Sequence, residues 1–247
     1  MRADPFAQLK LLDVQELDTR LDDLRHQAAN PPEAGELHEL AAGRSAVAGQ
    51  VGRLEVEVDD LTREQRKADD DVEHVKGRRV RDQQRLDSGA VTNPKDLERL
   101  QHELVSLDKR ISDLEDAELD VMERLEAAQQ QLVALRTDLS VSEERSAELT
   151  EARDKRVTAL REESERVARD RAAAVQGLPA DLLTLYERLR EHKGGVGAAL
   201  LRARRCEGCS LQLNNAEFAS IAKQPPDEVI RCEECSRILV RTGESGL

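Results

Sequence analysis

Four cysteines stand in two CxxC pairs, Cys206-Glu207-Gly208-Cys209 and Cys232-Glu233-Glu234-Cys235, and the chain has no others. Each pair closes a tight turn that aims two sulfurs at one point. The 22 residues between the pairs leave room for a strand, a short helix and a second strand to bring them together. The pattern predicts one structural Zn2+ held by Cys206, Cys209, Cys232 and Cys235. Two disulfides, or four idle thiols, are the competing reading. No apolar stretch with a cleavage site opens the chain, so the sequence points to the cytoplasm, where thiols stay reduced. A thioredoxin-like role would need one CxxC in a βαβ context, which the pattern lacks. Four sulfurs close the metal's shell, so the zinc is expected to hold the fold and perform no chemistry.

Arginines surround the cysteines. Arg202, Arg204 and Arg205 precede Cys206, and Arg231, Arg237 and Arg241 flank the second pair. They could contact the phosphates of RNA or DNA, or an acidic protein surface. They could equally offset the negative charge of four thiolates on one zinc. With one Tyr, two Phe and no Trp, there are few platforms on which bases could stack. A second polar cluster, Asp87, Asn93, Pro94, Lys95, Asp96 and Glu98, falls between two helical stretches. Turn chemistry and N-capping account for each of these residues. Delivery of carboxylates to a metal in a partner's active site is the alternative. No phosphate-cradling glycine loop, activated nucleophile or water-excluding cleft is legible, so the chain reads as non-enzymatic.

The elements that must position these groups are mostly helical. Charged residues make up 36% of the chain and aromatic residues 1%, too few to fill a thick core. Leu37, Leu40, Arg44, Val47, Val51, Leu54, Val58, Leu61, Gln65, Ala68, Val72 and Val75 step by alternate threes and fours. So does the run from Leu97 through Leu104, Ile111, Glu118, Leu125 and Leu132 to Leu139. These are coiled-coil seams. A shorter seam, Val14, Leu17, Leu21, Leu24 and Ala28, lies near the start. Beyond Leu139 the phase places Ser142, Ser146, Arg153 and Arg156 on the seam, and a four-residue stutter after Arg153 recovers Val157, Leu160 and Val167.

Punctuation predicts helices over about 5–29, 34–87 and 94–175, with Asp4-Pro5 and Asn93-Pro94 as N-cap and first turn. The expected fold is mainly α: a long antiparallel coiled-coil hairpin over 1–177, with its short first helix packed on the base. A connecting helix and a small α+β zinc ribbon follow over 178–247. In the ribbon, Ala198–Arg205 reads as one strand, Leu211 and Leu213 as part of a return strand, and Phe218 as buried on a short helix. Such a ribbon is too small to hold together without its metal.

The net charge of −13 resides in residues 1–177, since residues 178–247 hold 10 basic and 10 acidic groups. The coil should therefore be repelled by nucleic acid and anionic membranes. No segment is long and apolar enough to span a bilayer.

The whole chain resembles a bacterial family that joins an N-terminal coiled-coil hairpin to a C-terminal C4-type zinc ribbon. It is similar to the mycobacterial and actinobacterial members, and in plan to the Helicobacter flagellar regulator and its chlamydial relative. The resemblance is carried by Asn93-Pro94-Lys95-Asp96-Leu97, by Gln101-His102-Glu103-Leu104, by both cysteine pairs and by Arg237-Ile238-Leu239. It implies that Cys206, Cys209, Cys232 and Cys235 are zinc ligands. It implies an adaptor role, since relatives bind an alternative sigma factor, secretion components or a flagellin transcript. The family's usual glycine after the last cysteine is Ser236 here.

The expected function is a non-enzymatic adaptor that meets protein partners through hairpin and ribbon, with transcription or its regulation as the candidate setting. Nucleic-acid binding by the ribbon's arginines is the alternative. Antiparallel seams permit either a monomer or a homodimer.

Overall fold

A computed structural model describes every residue from Met1 to Leu247. In chain order the elements are α1 (Pro5–Ala29), α2 (Glu33–Asp87), α3 (Pro94–Ala174), α4 (Ala180–His192), β1 (Ala198–Arg202), β2 (Arg205–Cys206), α5 (Asn215–Lys223), β3 (Ile230–Arg231) and β4 (Ile238–Val240). The fold is a mainly helical hairpin followed by a small ribbon of strands and one helix. Two compact units divide the chain. One is residues 35–150; the other joins residues 1–34 to residues 151–247.

In the first unit, α2 and α3 run antiparallel. Every residue of the two seams read from the sequence is buried or half-buried here. Leu54 and Leu61 of α2 pack against Leu125, Ala128 and Leu132 of α3. Ion pairs cross the seam in reversed order: Glu36 with Arg145 at 2.9 Å, Glu55 with Arg136 at 2.6 Å, and Lys76 with Glu115 at 2.8 Å. They are solvated, so they select register more than they add stability. At the tip, Asn93 Oδ1 accepts the Lys95 amide at 3.0 Å and Pro94 opens α3, while Gly89 takes a φ of +69° after α2 ends.

In the second unit, α1 has two sets of partners. Leu21 and Leu24 pack with Val167 and Leu160 of α3. Ala7, Leu11 and Val14 pack instead with Leu182, Tyr186 and Leu189 of α4 and with Ala198, Ile238 and Val240 of the sheet. The sequence placed α1 on the base of the coil alone. The structure adds the ribbon to its partners. The segment before α1 joins too: Ala3 N–H donates to Asp227 O at 2.8 Å, and Val229 N–H donates to Met1 O at 3.0 Å. Gln15 completes the junction, with Oε1 accepting the Gly197 amide at 2.8 Å and Nε2 donating to Gly195 O at 2.9 Å.

The ribbon sheet has the order β2-β1-β4-β3, with β1 and β4 parallel and the outer pairs antiparallel. Residues 198–205 are not one strand. The chain reverses at Ala203 and Arg204, both with positive φ (44° and 65°), so that Arg202 pairs with Arg205. Non-glycine residues resist this conformation. The last residues compensate: Ala203 N–H donates to Glu244 O at 2.8 Å, and Arg204 N–H donates to Ser245 O at 3.3 Å. Where a return strand was expected at Leu211–Leu213, only Gln212 bridges, to Arg205. Phe218 is half-buried rather than buried, because the Arg204 guanidinium covers its ring at 4.5 Å.

Candidate metal centre

Each cysteine pair sits in a knuckle built by its own backbone. Ser210 N–H donates to Cys206 O at 2.7 Å, and Ser236 N–H donates to Cys232 O at 2.8 Å. Both serines take positive φ, 60° and 66°. Ser236 thus adopts the conformation for which glycine is the low-cost residue. The turn survives without it because the hydrogen bond that closes the knuckle is made by backbone alone.

β1 and β2 present the first knuckle, and β3 and β4 present the second. Leu201, Leu213, Ile221, Ile230 and Leu239 form the apolar floor against Cys206 and Cys232. Asn214 caps α5 by accepting the Glu217 amide at 2.8 Å, and the buried Glu217 in turn accepts the Glu233 amide at 3.3 Å. That bond steadies the second knuckle from below.

The four sulfurs lie within 4.8 Å of one another. Cys206 and Cys235 are 3.8 Å apart, and Cys209 and Cys232 are 3.9 Å apart. A tetrahedral zinc with Zn–S bonds of about 2.3 Å requires edges of about 3.8 Å, so the thiols fit this ion. Backbone amides favour the ionised form. At Cys206 burial pushes the thiol up, and the amides of Cys209 and Gly208 pull against it. At Cys232 burial again pushes up, against the amides of Cys235 and Glu234. At Cys235 burial is outweighed by the Arg237 amide and guanidinium and by the neighbouring thiols, which bring it down to about 7. A zinc bound here would be held by Cys206, Cys209, Cys232 and Cys235 with no position left for water or substrate, and it would supply structural cross-linking.

The arginines near the site do different jobs. Arg237 donates to Val196 O at 3.0 Å and to Lys193 O at 2.6 Å. It also lies over Gly208, where an added Cβ would fall 2.7 Å from Arg237 Cδ. Arg241 gathers the 224–228 loop by donating to the carbonyls of Gln224, Pro225, Pro226 and Glu228 at 2.7–3.1 Å. Arg202 pairs with Glu244 at 2.7 Å. Arg204 stacks on Phe218 and donates to Asn215 Oδ1 at 2.6 Å. Arg205 is exposed and has no ion-pair partner. The tip residues Asn93, Pro94, Lys95 and Asp96 lie far along the chain from the cysteines, in the other unit. Asp96 pairs there with Arg99 at 3.8 Å. Sequence reasoning missed Glu217, Gln15 and the N-terminal residues; their roles rest on bonds to distant backbone groups, which leave no periodic trace.

Comparison with known proteins agrees with this architecture. Residues 14–194 match the CT398-like coiled coil hairpin domain, and residues 205–239 match the C4-type zinc ribbon domain. An uncharacterized protein of Mycobacterium tuberculosis, Rv2229c, is 35% identical over 252 residues, covering 98% of each chain. A Mycobacterium leprae protein, ML1638, is 27% identical over 229 residues, covering 91% of this chain and 96% of that protein. A solved structure from Mycobacterium smegmatis superposes with a TM-score of 0.81 at 31% identity, covering 98% of this chain and 100% of that one. CT398 from Chlamydia trachomatis shares the fold at a TM-score of 0.66 and 22% identity, covering 96% and 98%. No helix of the chain is long and apolar enough to cross a membrane.

Proposed function

Because the chain belongs to the CT398-like coiled-coil hairpin family and carries a C4-type zinc ribbon, we propose that it is a zinc-stabilised, non-enzymatic adaptor. Its hairpin and ribbon each meet protein partners in the cytoplasm. The observation that carries this reading is the cluster of four sulfurs: a zinc held by all four would have every position filled and so could organise a surface but not a reaction. The solvated, acidic faces of α2 and α3 supply a long surface that rejects nucleic acid and accepts basic protein patches. The resemblance to adaptors of transcription and secretion makes those machineries the first partners to examine.

Nucleic-acid binding by the ribbon has one specific feature in its favour, the exposed Arg205 beside the stacked Arg204–Phe218 pair. Against it, Arg202, Arg237 and Arg241 spend their donors within the protein. The deciding experiment is capture from a lysate of the native cell with zinc-loaded protein tagged at its C-terminus, with and without nuclease. The adaptor reading expects a defined protein partner that survives nuclease. A retained RNA or DNA whose digestion releases everything else, with an affinity that drops steeply as salt rises, would replace it.

A further inference from the structure

The sheet order leaves β3 at an edge. Ile230 pairs with Leu239, and Cys232 N–H donates to Arg237 O at 3.0 Å. In an antiparallel ladder the residue between two such bonded positions turns its amide and carbonyl the other way. Arg231 N–H and C=O therefore point away from β4. The N-terminal residues use this same edge one step earlier, where Val229 N–H meets Met1 O. At Arg231 no strand of the sheet lies on the outer side of β3.

Facing this edge is α4. A groove of about 680 Å³ lies between them, lined by Met1, Val229 and Arg231 on one side and by Thr184, Leu185 and Arg188 on the other. Val229 and Leu185 make it partly apolar. Arg188 and Arg231 make it basic, and neither takes part in an ion pair, whereas Arg20, Arg171, Arg190 and Arg202 of the same unit each face a carboxylate. Arg231 Nε donates to Ser236 O at 2.9 Å, which holds its stem and leaves its terminal nitrogens to the groove. Asp181 also borders the groove, with one carboxylate oxygen accepting the Leu182 amide at 2.9 Å.

We infer that this groove takes an extended, acidic segment of a partner protein as an added strand on β3. The open N–H and C=O of Arg231 set its register. Alternate side chains then fall on Val229 and Leu185, and carboxylates meet Arg188 and Arg231. The acidic surface of a second copy of this chain is helical and has no strand to offer. A nucleic-acid backbone would satisfy the arginines but leave the strand edge unpaired. The inference rests on the adaptor reading and gives one of its partners a chemistry.

The test is selection of a random short-peptide display library on the zinc-loaded full chain, followed by fluorescence anisotropy with the enriched peptides. The expected peptides alternate apolar and acidic residues. Their affinity should fall about tenfold or more in Arg188→Glu and be lost in Thr184→Arg, which fills the groove. Both positions are exposed on α4, and zinc content and melting temperature verify that each variant folds. Methylation of every second peptide amide should abolish binding, and methylation of the intervening amides should not. No enrichment, enrichment of basic or patternless peptides, or equal binding to both variants overturns the inference. Partner capture from lysate that persists in Arg188→Glu would leave the adaptor standing and remove the groove from it.

Discussion

Tyr186 donates its hydroxyl to Asp18 Oδ2 at 2.7 Å, joining α4 to α1 across 168 residues of sequence. Both side chains are buried. Arg171 Nε donates to the other oxygen of Asp18 at 2.6 Å, and Arg190 Nε approaches at 3.5 Å, so one carboxylate ties three helices together. Burial, and then the carboxylate itself, push the Tyr186 hydroxyl upward, which keeps it a donor at any ordinary pH.

Replacing Asp18 with Ala should therefore cost about 3–5 kcal/mol, because Arg171 Nε and the Tyr186 hydroxyl lose their buried acceptor, although Glu187 still faces Arg171 and Asp22 still faces Arg190. Tyr186→Phe should cost about 1.5–3 kcal/mol, the value of one hydrogen bond to a charged group. Urea unfolding of both single variants and the double variant measures these losses and their coupling. Additive losses would show that the pair does not act as a unit.

Zinc removal should act locally. A strong chelator, or Cys232→Ser, should dissolve the small core of Leu201, Ile221, Ile230 and Leu239 while far-UV circular dichroism falls only slightly, since α2 and α3 need no metal. Hydrogen exchange should quicken in α1 as well, because Ala7, Leu11 and Val14 lose the sheet they pack on. Unchanged protection in α1 would count against that coupling.

Two glycines should respond oppositely to the same change. A Cβ at Gly197 would lie 2.5 Å from Tyr186 O and 2.8 Å from its Cδ2, so Gly197→Ala should destabilise by about 1–3 kcal/mol. At Gly52, inside α2, nothing lies within 4 Å, so Gly52→Ala should stabilise by about 1 kcal/mol. Thermal melts of the two variants check the signs.

Glu118 sets a pH dependence in the coil. Its carboxyl is raised above the usual glutamate range, first by a hydrogen bond with the Asp69 carboxyl across the seam, then by lost solvent and like charge, with Lys76 opposing. A raised acid binds its proton more tightly folded than unfolded. Its contribution is full below the unfolded value of about 4.3 and is lost as pH rises through the folded value. Glu118→Gln should flatten this fall and raise the melting temperature at neutral pH. Identical pH profiles for the two proteins would remove Glu118 as the cause.

The seams and the cysteines were legible because each repeats a spacing that only one geometry satisfies. Asp18 was not: it occupies a position that a heptad leaves polar, and nothing in its neighbours marks it as 2% exposed. Arg237 and Arg241 were not either. An arginine that donates to backbone carbonyls has the same composition and spacing as one that faces solvent, and only the path of residues 193–196 beside Arg237 and of residues 224–228 beside Arg241 distinguishes them. The partnership between the first residues and the ribbon rests on main-chain bonds and on pairs of Met1 and Arg2 with Asp227 and Glu228, more than 220 residues apart, which no local pattern announces.

That partnership has a consequence for synthesis. α1 is translated first, yet the sheet that covers Ala7, Leu11 and Val14 includes Ile238 and Val240. At about 5–20 residues per second, the ribosome needs roughly 10–40 s to reach them. Until then α4 alone can cover part of that stripe, through Leu182, Tyr186 and Leu189, and a chain that stops short of β4 never completes the cover. A copy that ends before Ile238 is therefore unfinished in α1 as well as at its broken end.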